Sequence, residues 1–378
     1  MSYLALARKY RPDTFEKVVG QEPIITALRN SLRSKRLHHA YLFSGIRGIG
    51  KTTTARLLAK ALNCASGPTA TPCNACPSCV ETAEGRSIDI MEIDGASSGG
   101  VDQIRELREI VRYTPIRDRY RVVIIDEVHM VTTAAFNALL KTLEEPPSWI
   151  VFIFATTEYR KVPATILSRC LQFFFRPLPM SLLVEHLRSI CAQEGISVSD
   201  RGLFHIARLA AGSSRDSISL LDQIVAYCGL SVDDGDLLQI LNIMSSDVHE
   251  RMARAIASGD GGAVLDEIAK IVECGCDIVS FLNDFEEYLR QLLVVKIARA
   301  PEKLIDTYEE DLQALRGVAA LFGEEADLLR HLQFLMQIEA NLRYVHSPRY
   351  LIEAGFLKMC QFRKLIPIAD AYKLISNR

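Results

Sequence analysis

HAYLFSGIRGIGKTTTARLLAKALN, residues 39–63, holds an apolar run, a glycine-punctuated turn and a helical pattern in immediate succession. The turn, Gly45, Ile46, Arg47, Gly48, Ile49, Gly50, Lys51 and Thr52, matches G-x-x-x-x-G-K-[ST] at every position. An apolar strand before it and a helix after it form the context that gives this pattern its meaning. Glycines let backbone N–H groups wrap phosphate oxygens, Lys51 reaches the β- and γ-oxygens, and Thr52 offers a hydroxyl to Mg²⁺. Thr53, the next residue, belongs to the same expected nucleotide-contacting set.

Four more apolar runs follow: DIMEIDG (89–95), RVVIIDE (121–127), WIVFIFATT (149–157) and CLQFFFRPL (170–178). Near-continuous apolarity suits strands of a parallel sheet covered on both faces. Helical patterns such as TTAAFNALLKTLEE lie between them, which predicts a doubly wound α/β domain over residues 1–178. Pro177 and Pro179 then break the chain. Residues 179–242 read as a small helical domain, in which Ser213 and Asp216 have the spacing of a capping box and place Arg215 in a first helical turn. From 243 to 378 the pattern is of long amphipathic helices without a nucleotide or metal motif. The expected fold class is therefore α/β plus all-α.

Nearly half of the 378 residues are apolar, so wholesale disorder is excluded. The formal net charge is only −2, yet residues 1–60 hold 12 Lys/Arg against 3 Asp/Glu while residues 231–330 hold 9 against 21. A basic head and an acidic later segment point to different partners for different parts. The opening MSYLALARKYRP lacks the apolar core of a signal peptide, and no apolar run approaches the roughly 20 residues needed to span a bilayer. A cytoplasmic, reducing location with no membrane partner is expected, in which the ten cysteines are thiols or metal ligands.

VVIIDE supplies the acidic partner of the phosphate loop. Asp126, ending an apolar strand, is placed to hold Mg²⁺, and Glu127 is the candidate base that orients or deprotonates an attacking water. The tandem implies ATP hydrolysis, since no Asn-Lys-x-Asp guanine reader is present. Thr156 and Thr157, ending the next strand, are candidates to contact the γ-phosphate or the water. Cys64, Cys73, Cys76 and Cys79 follow a C-x8-C-x2-C-x2-C spacing that can enclose a tetrahedral Zn²⁺ with no open position, a structural site. The other six cysteines lie mostly in apolar patterns and read as core.

The order of these elements carries a resemblance. LARKYRPDTFEKVVGQE, GIRGIGKTT, the four-cysteine insert, DEVHMV, NALLKTLEEPP, ATT, ILSRCLQF and GSSRDSISLLDQ together resemble the gamma/tau family of bacterial DNA polymerase III clamp-loader subunits, within the AAA+ superfamily. The resemblance is motif-dense over residues 1–225 and collinear beyond. It implies that Tyr10, Arg11, Pro12, Val18 and Val19 line the adenine side of an ATP pocket, and that Thr157 is a sensor with Thr156 its neighbour. Arg215 would be a second sensor reaching phosphates bound by the same chain. Arg169 would be an arginine finger serving a neighbouring subunit's ATP; the alternative is a guanidinium that answers a local carboxylate. Ser97, Ser98, Arg105 and Lys141 match the region that faces primed-template DNA, although Gly99 and Gly100 stand where relatives are expected to be basic.

The implied function is that of an ATP-driven motor that opens the sliding clamp and loads it onto primed DNA during replication. Its implied partners are delta, delta-prime and further gamma/tau copies, assembled through a helical collar at 243–378. In relatives of this family a longer form continues into domains that bind polymerase and helicase. Another AAA+ remodeller, such as a branch-migration helicase, would thread its substrate with aromatic pore loops, which the sequence does not show. A nucleotide-insensitive scaffold would not need Lys51, Thr52, Asp126 and Glu127 intact.

Overall fold

The computed structural model describes residues 4–98, 109–241, 246–305, 309–342, 344–345 and 347–362. It divides into two compact units, residues 1–234 and 235–378. In the first, strands β1 (Ala40–Ser44), β2 (Ile90–Asp94), β3 (Arg121–Asp126), β4 (Ile150–Thr156) and β5 (Leu171–Phe174) form one parallel sheet in the order β2-β3-β4-β1-β5. Helices are α1 (Leu6–Lys9), α2 (Glu22–Ser34), α3 (Lys51–Asn63), α4 (Pro77–Glu84), α5 (Gly95–Ser98), α6 (Thr133–Glu144), α7 (Ala164–Leu167), α8 (Met180–Glu194), α9 (Asp200–Leu209) and α10 (Ser214–Cys228).

Successive strand residues point to opposite faces, so each central strand feeds two cores. Tyr41, Phe43, Val122, Ile124, Val151 and Ile153 pack with Leu28, Leu32, Leu57 and Leu58 of α2 and α3. Leu42, Val123, Ile125, Phe152 and Phe154 pack with Phe136, Leu139 and Leu143 of α6 and Ile166 of α7. β1 and β4 are buried at every position, as their apolar runs predict. The same expectation is corrected at β2 and β5: Glu92, Asp94, Leu171 and Phe174 are exposed, because these two strands form the sheet's edges.

The predicted cap is present: Ser213 Oγ accepts from the Asp216 N–H at 3.2 Å and starts α10. Ser199 and Thr132 cap α9 and α6 in the same way. The second unit is helical, with α11 (Asp234–Ile240), α12 (Ser246–Ser258), α13 (Gly261–Glu273), α14 (Ile278–Ile297), α15 (Glu309–Ala319), α16 (Glu325–Leu342) and α17 (Pro348–Gln361). Its core gathers Phe281, Phe285 and Phe356, and His249 stacks on the first two. Of the six cysteines read as core, Cys191 and Cys360 are buried, while Cys274 is exposed at the end of α13.

One buried pair fixes how β3 enters the sheet. Asp89 is 1% exposed, and its carboxylate accepts from the backbone N–H groups of Ile116, Arg117 and Asp118 at 2.8–3.0 Å and from Arg121 at 3.3 Å. Arg121, itself buried, also donates to the carbonyls of Ile110 and Thr114. Burial acts to raise the Asp89 carboxyl, but these donors outweigh it and hold it below the usual carboxylate range. A carboxyl depressed in the folded state contributes stability above its unfolded value of about 3.9, and that contribution is lost as pH falls through the folded value. Asp89→Ala is expected to cost about 3 kcal/mol at neutral pH by stranding the Arg121 charge. Urea unfolding should show this gap to wild type narrowing below about pH 4.

Candidate nucleotide-binding site and cysteine cluster

The phosphate loop connects β1 to α3. Gly50, at φ 97°, caps α3, so the helix's positive end faces the loop. Gly48 is at φ 75°, and a Cβ there would fall 2.0 Å from Ser213 Oγ. Its carbonyl accepts from the Arg215 N–H at 3.1 Å, so the first turn of α10 sits directly on the loop. Only glycine allows that approach.

Lys51 is 5% exposed, and its ammonium donates to the carbonyls of Gly45 and Ile46, each at 2.8 Å. Burial pulls it below the usual lysine range, against the opposing pull of the Glu127 and Asp126 carboxylates. Thr52 Oγ1 donates to Asp126 Oδ2 at 2.6 Å. A hydroxyl and a carboxylate in contact, beside the loop, are the donor pair that a Mg²⁺ with its waters and phosphate oxygens requires.

Glu127 takes a left-handed conformation, φ 44° and ψ 47°, immediately after β3. Its Oε2 accepts from the Thr157 hydroxyl at 2.8 Å and the Thr157 N–H at 3.2 Å. The candidate base is therefore oriented by the residue that the family resemblance implies is a sensor. His129, whose side chain is 7% exposed, completes the group: Nδ1 lies 3.4 Å from Glu127 Oε2 and 3.1 Å from Thr156 Oγ1, and Nε2 lies 3.5 Å from Glu158. Sequence reasoning assigned His129 no role. The only signal was its place two residues past the acidic pair, and the turn at Glu127 is what brings it back toward β4. Thr156, fully buried, spends its hydroxyl on His129 and the Glu158 N–H.

A cavity of about 1120 Å³ joins these groups. Its walls include Tyr10, Arg11, Pro12, Val18 and Val19 on one side, Arg47 through Thr53 and Asp126 and Glu127 on another, and Ser214 and Arg215 from α10. Thr156 and Thr157 stand behind Glu127 and do not line it. The Arg11 guanidinium is pulled down by burial first, then by Arg56, with Arg215 adding to the effect. Several cations converging on one cavity produce a field suited to a polyphosphate. The Tyr10 hydroxyl donates to Glu194 of α8, and burial together with that carboxylate pushes the phenol up to about 12. Lys9 pairs with the same carboxylate at 2.6 Å.

Arg169 is engaged within its own chain. Its guanidinium donates to Glu144 at the end of α6 and to the Thr165 carbonyl at 2.8 Å, and it is not among the described residues that line the cavity. Of the candidate DNA contacts, Lys141 is exposed on α6. Ser97 turns its hydroxyl back onto Asp94. Arg105, Gly99, Gly100 and the Ser98 side chain lie outside the described residues.

Cys64, Cys73, Cys76 and Cys79 place their sulfur atoms within 4.8 Å of one another. Four sulfurs each about 2.3 Å from one Zn²⁺ need separations of roughly 3.8 Å, so small adjustments close the site. Backbone N–H groups already point at sulfur, Cys73 N at Cys64 Sγ (3.4 Å) and Cys76 N at Cys73 Sγ (3.3 Å). Burial opposes it, but Ser66 and the Cys73 N–H bring the Cys64 thiol down to about 6, toward the thiolate that a metal needs. The residues present fit zinc.

Residues 20–179 match the family described as DNA polymerase III, delta subunit, and residues 182–230 match the clamp loader subunit ATPase lid domain. Residues 232–375 match DNA polymerase III subunits gamma and tau domain III. A Mycobacterium tuberculosis DNA polymerase III subunit gamma/tau is 43% identical over 99% of this chain and 65% of its own length. The Escherichia coli subunit tau is 40% identical over 98% of this chain and 57% of its own. A Haemophilus influenzae tau/gamma subunit is matched over 45% of its length, so the chain spans about half to two-thirds of these longer relatives. A Buchnera aphidicola DNA polymerase III subunit gamma is 36% identical over 95% of this chain and 97% of its own. Among solved structures, the Thermotoga maritima RuvB Holliday junction branch migration motor aligns with a TM-score of 0.46 at 17% identity, over 65% of this chain and 79% of that one. With a gamma subunit matched over 97% of its own length and three DNA polymerase III family models along the chain, the chain belongs to the DNA polymerase III gamma/tau family.

Proposed function

We propose that this chain is the ATPase motor subunit of a replicative clamp loader, which couples ATP binding and hydrolysis to opening a sliding clamp and placing it on primed DNA. The observation that carries the reading is the complete hydrolytic arrangement: Lys51 in the loop, Thr52 on Asp126, and Glu127 aimed by Thr157. When ATP and Mg²⁺ are bound, the metal neutralises charge on the β- and γ-phosphates. Thr52 and Asp126 would hold that metal, Lys51 and Arg215 would face the phosphates, and Glu127 would orient the water. Four thiolates from the cysteine cluster would hold a structural Zn²⁺, without part in the chemistry.

Arg169 supports a division of labour between subunits. A guanidinium away from its own cavity, beside the edge strand β5, would serve another copy's triphosphate by exchanging its local partner Glu144 for that phosphate. Exposed Leu171 and Phe174 on the same edge offer apolar surface for such a neighbour. The partners on this reading are delta, delta-prime and further gamma/tau copies, with the clamp and primed-template DNA as substrates and Lys141 facing the DNA backbone. Phosphate contacts of that kind position DNA without reading its bases. Three domains, at 1–178, 179–242 and 243–378, would act as motor, lid and collar. Among the described residues no helix is long and apolar enough to cross a membrane, and a cytoplasmic site of action follows from the replication role.

Arg169→Ala should leave ATP affinity close to wild type while lowering the ATPase rate of the reconstituted, DNA-stimulated loader about 10³-fold. Unchanged stimulated turnover would sink the trans assignment. Glu127→Gln should bind ATP normally and hydrolyse it about 10²- to 10³-fold more slowly in single-turnover assays. Metal analysis should find about one zinc per chain, lost in Cys76→Ser/Cys79→Ser together with a lowered melting temperature.

A further inference from the structure

We propose that Lys60 is a positioning strut through which the cysteine cluster holds the base-side wall of the nucleotide cavity, an inference that rests on the nucleotide-binding reading above. Lys60 lies on α3, the helix opened by the phosphate loop, and is 4% exposed. Its ammonium donates to the Asp13 carbonyl at 3.0 Å and to Asn74 Oδ1 at 2.9 Å. Asp13 directly follows Tyr10, Arg11 and Pro12, which line the cavity. Asn74 sits between Cys73 and Cys76 with φ 56°, a conformation that the tight turn between two metal-ligand positions imposes.

A buried charge persists only where polar partners replace its lost water. Here the partners come from two loops that no shared strand or helix joins. Movement of either loop leaves the ammonium with an unmet donor, so each loop holds the other through α3. Other contacts brace the cluster toward the opposite wall. Arg119 donates to the carbonyls of Cys64 and Ala65, Ser78 donates to Asp118, and Arg117 makes a two-pronged pair with Glu81. Those bonds run to the start of β3, the strand that ends at Asp126. Lys60 carries the connection in the other direction, to the loop beside the base. Closing four thiolates on one ion would fix Cys73 and Cys76, hence Asn74, hence Asp13.

The test uses the full chain, Mg²⁺ and a fluorescent N-methylanthraniloyl ATP. Lys60→Met keeps the stem and removes the ammonium; the nucleotide Kd is expected to rise about tenfold, the scale of a lost charge-assisted pair of hydrogen bonds. Zinc should stay at about one per chain, as in wild type. Backbone amide exchange should quicken over residues 10–19 and stay unchanged in β3 and β4. Asn74→Gly, which tolerates the positive φ, should weaken binding about threefold with zinc retained. The double variant should bind no more weakly than Lys60→Met alone, because both substitutions break one connection.

A Lys60→Met chain that binds the analogue within twofold of wild type overturns the strut. So does a double variant whose factors simply multiply, an exchange increase spread over the whole unit, or loss of zinc in Lys60→Met. Wild type failing to bind the analogue overturns the nucleotide reading itself, and the strut with it.

Discussion

The contact between Thr52 and Asp126 is the joint on which the site depends. The hydroxyl belongs to the helix after β1 and the carboxylate to the end of β3, and the two strands are not neighbours. They meet because β4 lies between them in parallel register, Ser44 opposite Thr156 and Ile125 opposite Phe154. Parallel strands put all their carboxyl ends on one edge, and a ligand site at the point where the strand order reverses follows from that arrangement. A register slip of one residue would exchange the two buried faces of β1, β3 and β4 and break the fit of each to its own core, so the same apolar packing that stabilises the sheet also aligns the candidate site residues.

Around this joint the cavity has walls from distant parts of the first unit. The loop from Tyr10 to Val19 closes one side, and α10 closes another through the bond between the Arg215 N–H and the Gly48 carbonyl. Tyr10 and Lys9 reach across to Glu194 of α8, and the Leu6 N–H reaches Asp222 of α10. Tyr10, expected beside the adenine, is thus bonded to α8, and α1 just before it is bonded to α10, the helix that carries Arg215. A nucleotide that draws on both would bias their relative placement, which is what the proposed motor needs: ATP can drive a change only through different affinity for its two states.

The acid–base side is held from behind. Thr157, just past β4, and His129, in the turn after β3, both meet Glu127, so the candidate base is aimed by neighbours that do not line the cavity. Arg169 answers Glu144, a residue on the same helix as exposed Lys141. The proposed DNA-facing side chain therefore lies on the same helix to which the proposed finger, in the turn between α7 and β5, is bonded. Exposed ion pairs of this kind are weak and exchangeable, which suits a guanidinium whose work lies with another subunit.

The sequence by itself determined the phosphate loop, the acidic pair, the four-cysteine spacing, the Ser213 cap and the alternation of strands with helices. Each of these is local: a few residues whose conformation or chemistry is dictated by neighbours in the chain. It also determined family membership, because motif order survives where single motifs are ambiguous. Only the tertiary structure decided which apolar runs form the sheet's edges, since an apolar edge strand such as β5 differs from a central one chiefly in what lies beside it. It alone placed Thr156 behind the site, recruited His129 to Glu127, gave Arg169 its partner in Glu144 and buried Lys60 between two loops. These assignments join residues far apart in the chain, and the distance between them is set by strand order and helix packing, which no short window of sequence contains.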